Sequence, residues 1–170
     1  IEMTRDVASR VHAKVGNVFV IPEAKIQKEN MLIPGTDGQK MSKSKGNVID
    51  IFQTDKALRK QIMSIQTDST ALEAPKDWST CNSFAIYKLL ASDSQVAEMK
   101  QNYEAGGYGY GHAKQALFEL ICEQFSEQRE RYAYYMENLE EIDQALEIGA
   151  EKAAKTANAV LQRVREKIGY

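Results

Sequence analysis

Five consecutive residues, Lys40-Met41-Ser42-Lys43-Ser44, carry the clearest chemistry in this chain. The two lysines supply compact ammonium charges on flexible stems, each with three donors that can follow phosphate oxygens as charge moves. Ser42 and Ser44 add neutral donors, and neighbouring glycines leave backbone N–H groups free to turn toward the same anion. Met41 is the one large apolar residue of 34–47 and is expected to pack inward, against a sheet, while its neighbours face out. Such a set suits the phosphates of a nucleotide. Taken alone, a lysine–serine pentapeptide reads first as a solvated basic loop, so the surrounding elements must decide.

Residues 34–47 hold three glycines, three lysines and two serines, the composition of a mobile surface loop. Upstream, Ala8, Val11 and Val15 recur at helical spacing, and Gly16-Asn17 is a stop signal. Val18-Phe19-Val20-Ile21-Pro22 then predicts a short strand buried on both faces, so that helix, turn and strand read as the tail of an α/β unit. Downstream the pattern is helical throughout. Ala57, Leu58, Ile62 and Ile65 mark a helix capped by Thr54 or Asp55. Phe84, Tyr87 and Leu90 mark the next, after Pro75, and Val96, Met99 and Tyr103 a third. Gly106 to Gly111 opens a long helix with Leu117, Leu120, Ile121 and Phe125, and a last stripe runs from Leu146 through Val164 to Ile168. Helices with apolar stripes and short connections predict a bundle.

Composition narrows the class. At 43% apolar and 27% charged over 170 residues, the chain is an ordinary soluble one, and no run approaches the roughly 18 apolar residues of a membrane span. Net charge is −2, which excludes a generally basic nucleic-acid coat. Residues 1–60 carry eleven basic and seven acidic side chains, residues 61–170 eleven and seventeen, so any phosphate contact must be local. Cys81 and Cys122 have neither disulfide nor zinc spacing, which points to the cytoplasm and to no metal site. The opening on Ile1, already inside a helical pattern, is expected of a fragment.

The pentapeptide matches the KMSKS signature of class I aminoacyl-tRNA synthetases, and the likeness extends along the chain. Thr4-Arg5-Asp6-Val7-Ala8, Pro34-Gly35-Thr36-Asp37-Gly38, Thr67-Asp68-Ser69, Tyr103 to Gly109 and Gly149 to Ala153 each resemble, in order, a segment of the tryptophanyl-tRNA synthetases. The resemblance implies a mainly α chain: residues 1–50 as the remnant of a Rossmann-like α/β catalytic domain, and residues 51–170 as a helical-bundle anticodon-binding domain. It implies ATP as substrate with Mg²⁺, tryptophan and tRNA(Trp) as partners, and a homodimeric parent. Tryptophan's carboxylate would attack the α-phosphorus, giving an adenylate and pyrophosphate before transfer to tRNA.

Within that resemblance Lys40 and Lys43 are the expected catalytic groups, with Met41, Ser42 and Ser44 completing the ATP and pyrophosphate cradle. Lys152 and Lys155 are the expected tRNA contacts, on a stretch that with Arg163, Arg165 and Lys167 carries a net +3. The family's HxGH signature is missing: His12 and His112 both read as structural, and the fragment alone is expected to be inactive. Asp68 is expected to cap a helix or orient the loop, and Tyr132 and Tyr135 to pack in the bundle. A tyrosyl-tRNA synthetase fragment and a non-enzymatic helical RNA-binding module stand as alternatives.

Overall fold

The computed structural model describes residues 1–25 and 32–170. Among them it forms seven α-helices: α1 (Glu2–Val15), α2 (Asp55–Met63), α3 (Asn82–Tyr87), α4 (Asp93–Ala105), α5 (Tyr110–Gln124), α6 (Ser126–Glu137) and α7 (Leu139–Ile168). A single 3₁₀ turn, Lys43–Lys45, lies inside the pentapeptide loop. The chain divides into two compact units, Ile1–Gln27 with Tyr135–Tyr170, and Lys28–Tyr134.

In the unit Lys28–Tyr134, the apolar spacings become one core. Leu58 and Ile62, one turn apart on α2, are fully buried, and Ile65 just beyond the helix joins them. The Thr54 hydroxyl accepts from the Ala57 N–H at 3.4 Å, as expected of a cap. α5 packs on both α2 and α3 through Ala113, Leu117 and Ile121. Burying a side chain such as Leu117 is worth about 1.5–3 kcal/mol. α4 starts with a capping box, in which Ser92 N–H donates to Gln95 Oε1 at 2.9 Å and Gln95 N–H to Ser92 Oγ at 3.4 Å.

The entry to α5 demands glycine at one position. Gly106 has φ +73°, and a Cβ there would collide with the Glu73 carbonyl. Beside it lies Lys76, only 3% exposed. Its Nζ donates to the carbonyls of Ala71, Leu72 and Ala74 at 3.0, 3.1 and 3.1 Å, and its own N–H donates to the Tyr103 carbonyl at 2.7 Å. Three carbonyl dipoles thus replace the water lost by a buried ammonium. Tyr103 is fully buried, its hydroxyl among Cys81 Sγ (3.3 Å) and Ser83 Oγ (3.4 Å), and burial pushes its ionisation upward.

The other unit contains α1 and α7. α1 ends at Gly16 as its stop signal predicts, with Ala8 as its buried residue. The Phe19 N–H donates to His12 Nε2 at 3.0 Å, which gives His12 a structural task.

The expected strand is not there. Among the described residues Val18–Pro22 has no ladder partner, and no strand occurs. Val18 is buried, but Val20 is 91% exposed. A strand needs a ladder partner for its N–H and C=O groups. Here the Val18 carbonyl is taken instead by the Arg163 guanidinium, through Nε at 3.1 Å and Nη2 at 3.0 Å. The described residues are therefore helical, and Val18–Pro22 is not a strand among them. A second correction concerns α6, which buries no residue: Tyr132 and Tyr135 remain 43% and 39% exposed rather than packed in a bundle. Tyr132 stacks on Phe52 with ring centroids 4.7 Å apart.

Candidate functional site

The loop that holds Lys40-Met41-Ser42-Lys43-Ser44 is closed on itself. The Gly35 N–H donates to the Gln39 carbonyl at 2.7 Å, and Met41 N–H reaches the Ile33 carbonyl at 2.8 Å. Pro34 and Lys40 form an isolated antiparallel bridge. The 3₁₀ turn follows, with Lys45 N–H donating to Ser42 O and Gly46 N–H to Lys43 O, both at 3.2 Å. Thr36 O accepts from the Gln66 N–H at 2.8 Å, and Gln66 O accepts from Asn82 Nδ2 at 3.0 Å, so the loop is fastened toward α3. A composition that predicted mobility thus yields an internally hydrogen-bonded turn.

Met41 is the anchor expected of it, though it packs on the helical core rather than on a sheet. With Ile33, Ile49, Ile86 and Ile121 it lines an apolar cleft of about 290 Å³. Ser42 Oγ and Ser44 Oγ lie 2.9 Å apart. Lys40 and Lys43 are exposed, and among the described residues neither ammonium has a hydrogen-bond or ion-pair partner. Lys45 is the lysine that is tied down, donating to Gln39 Oε1 at 2.7 Å. The N–H groups of Lys43 and Ser44 are likewise without an acceptor among those residues. Lys43 also borders an open cleft of about 710 Å³ together with Asp50, Phe52 and Gln61. Two unneutralised ammoniums, two hydroxyls and two free N–H groups on one short turn make a site for an anion rich in oxygen. The same donors repel a cation, and no described His, Cys, Asp or Glu group could hold a metal.

Asn47 was not legible as a site residue. It is 3% exposed and sits beneath the turn, where its side chain donates to Asp37 and accepts from Ser42. The one available signal was a small amide placed directly after a glycine at the close of the loop.

Asp68 does not cap a helix. Its carboxylate closes a local turn by accepting from the Thr70 N–H at 2.8 Å and accepts the Tyr110 hydroxyl at 2.8 Å, which ties that turn to the first residue of α5. Burial, with Asp68 second, pushes the Tyr110 phenol up to about 12. Donors act alike on three aspartates: Asn47 holds the Asp37 carboxyl below its ordinary 3.8, Thr70 that of Asp68 and Ser79 that of Asp77. Depressed carboxyls stabilise the fold fully above pH 3.8 and lose that contribution as pH falls through their lower folded values. The thermal midpoint should therefore fall more steeply below about pH 4 than between pH 5 and 8. Asp68→Asn should flatten that acid limb; an identical limb in the variant would remove Asp68 from the account.

On α7, Lys152 and Lys155 are exposed, whereas Arg163 is engaged with Val18 and is less able to meet a ligand. Arg165 lines a cavity of about 480 Å³ with Asn158, Leu161 and Tyr170. Among the described residues no helix is long and apolar enough to cross a membrane.

Residues 1–126 match the profile of the tRNA synthetases class I (W and Y). The tryptophan–tRNA ligase of Campylobacter jejuni is 47% identical over 169 residues, 99% of this chain and 53% of that protein. The Rhodopirellula baltica enzyme of the same name is 40% identical, again over 99% and 53%. A crystal structure of the C. jejuni tryptophanyl-tRNA synthetase, complexed with ADP and tryptophan, superimposes with a TM-score of 0.86 at 47% identity, covering 99% of this chain and 53% of that one. The chain spans about half the length of these relatives.

Proposed function

We propose, from the premise that this chain belongs to the class I tRNA synthetases of the tryptophan and tyrosine group, that the full-length protein carrying it is a tryptophan–tRNA ligase. Residues 40–44 are then its pyrophosphate-handling loop. The observation that carries this reading is the pair of ammoniums, Lys40 and Lys43, without a partner among the described residues, on a turn closed by its own hydrogen bonds.

Tryptophan's carboxylate attacks the α-phosphorus of ATP, and the bond to the bridging oxygen of pyrophosphate breaks. Such transfers leave a protein mainly positioning and charge stabilisation to supply. Lys43 and Lys40 meet the negative charge that grows on the departing pyrophosphate, while Ser42, Ser44 and the Lys43 and Ser44 N–H groups add neutral donors. Met41 holds the turn to the helical core. Mg²⁺ enters as part of the ATP substrate, since the loop's donors are cationic or neutral.

Tryptophan is favoured over tyrosine because relatives at 40–47% identity across 99% of the chain bear the tryptophan name. The test is ATP–pyrophosphate exchange by the full-length protein, expected to depend on tryptophan. Exchange supported by tyrosine instead, or by neither amino acid, would overturn the reading.

Residues 1–50 are read as the end of a Rossmann-like catalytic domain and 51–170 as the anticodon-binding domain, within a cytoplasmic homodimer. The two free cysteines suit that compartment. Lys152 and Lys155 are assigned to tRNA phosphates. Replacing both by glutamate should weaken tRNA(Trp) binding and lower its salt dependence by about one unit of slope for each phosphate no longer neutralised. Unchanged affinity and slope in a salt titration would take both residues out of the interface.

A further inference from the structure

We infer that Asn47 is the positioning residue of the pentapeptide loop: its buried amide joins both arms of the turn and so fixes where Lys40 and Lys43 stand. The inference rests on the function proposed above and deepens it. The Asn47 amide uses both its ends. Nδ2 donates to Asp37 Oδ1 at 2.7 Å and to the Lys40 carbonyl at 3.2 Å, and Oδ1 accepts from the Ser42 N–H at 2.8 Å. Its backbone carbonyl accepts from the Thr36 N–H at 3.0 Å. The contacts to Lys40 and Ser42 bracket Met41, and that to Asp37 grips the opposite arm. A single side chain therefore sets the backbone on both sides of the anchor and immediately before Lys43.

Neighbouring residues make the seat specific. Gly35 approaches so closely that a Cβ there would lie 2.5 Å from Asn47 Cγ and 2.5 Å from its carbonyl oxygen. Asp37 is itself held by the Gln39 N–H at 3.0 Å, so the acceptor facing Asn47 is fixed. The ammoniums, by contrast, have no partner of their own among the described residues. Among the described residues it is the backbone clamped by Asn47 that orients them, and misplacement of reacting groups by about 1 Å can cost on the order of 100-fold in rate.

Asn47→Asp keeps the size and the acceptor for Ser42, removes both Nδ2 donations, and sets a carboxylate against Asp37. In the full-length protein, tryptophan-dependent pyrophosphate exchange should fall in kcat by about 10- to 100-fold, with the KM for tryptophan unchanged within about twofold. The same substitution placed on Lys43→Ala should cost several-fold less than it does alone, because the share of its effect that passes through Lys43 is already lost and only the Lys40 share remains. The exchange Asp37→Asn with Asn47→Asp restores the 37–47 hydrogen bond with reversed polarity but not the donation to the Lys40 carbonyl, and should recover part of the lost rate. Should Asn47→Asp not fold, Asp37→Ala removes the acceptor alone and is read by the same criteria. A kcat within twofold of the unsubstituted protein, or a loss that persists in full on Lys43→Ala, overturns the inference. Absence of exchange in the unsubstituted protein would overturn the proposed function itself, so the two failures are distinguishable.

Discussion

Lys43→Ala in the full-length protein is expected to slow tryptophan-dependent pyrophosphate exchange by about 10²–10³-fold, which corresponds to about 2.7–4 kcal/mol of lost transition-state stabilisation. The size follows from the site. Lys43 is exposed and has no partner to lose among the described residues, so the substitution leaves the fold's own hydrogen bonds intact. What disappears is an ammonium available to charge that exists mainly once pyrophosphate begins to leave. Hence kcat should carry the effect, while tryptophan binding, measured by equilibrium titration, should change by less than about twofold. Lys40→Ala should act in the same direction. A rate within a few-fold of the unsubstituted protein for both lysines would remove the loop from the chemistry.

Lys76→Met should produce the largest change in stability, roughly 3 kcal/mol, without touching the loop. The substitution keeps an apolar stem of similar length and deletes the ammonium that serves three carbonyls. Hydrogen bonds to charged groups contribute about 1.5–3 kcal/mol each, and part of that returns as water reaches the carbonyls of Ala71 and Leu72, which are exposed residues. Trp78 is the chain's sole tryptophan and lies in the same unit, tilted against Phe84 at 5.5 Å with Lys100 Nζ 4.0 Å above its ring. Its fluorescence during urea unfolding reports this unit directly. A lower midpoint at unchanged slope is expected, and a midpoint shifted by less than about 0.5 kcal/mol would show that solvent replaces the ammonium without cost.

Local signals were legible where the chain needs only itself. Gly16 ends α1, Thr54 caps α2, and the i, i+4 pair Leu58 and Ile62 is buried, because spacing and capping act within one or two turns. Lys40 to Ser44 could be singled out for a similar reason: charge and hydroxyls crowd five adjacent positions. The misses involve distant partners. Val18–Pro22 has strand composition, but pairing is a property of two segments, and an arginine 145 positions along the chain took the Val18 carbonyl. α6 was not marked out as a separate helix, because its three tyrosines and many charges give no apolar stripe. Asn47 and Lys76 look like surface residues by type, and only closure of the loop and of the α4–α5 turn makes them central.

The two thiols also differ in a way that an experimenter can exploit. Cys81 is sealed beside Ser83 and Tyr103, whereas Cys122 is half-buried with Arg129 Nη1 3.1 Å from its sulfur. That guanidinium also grips Asp55 at 2.6 Å and the Gln53 carbonyl at 2.9 Å, in the stretch leading into α2. A maleimide dye should therefore label position 122 selectively in the native protein, leaving an emission reporter beside the strap that joins α6 to the segment following the lysine turn.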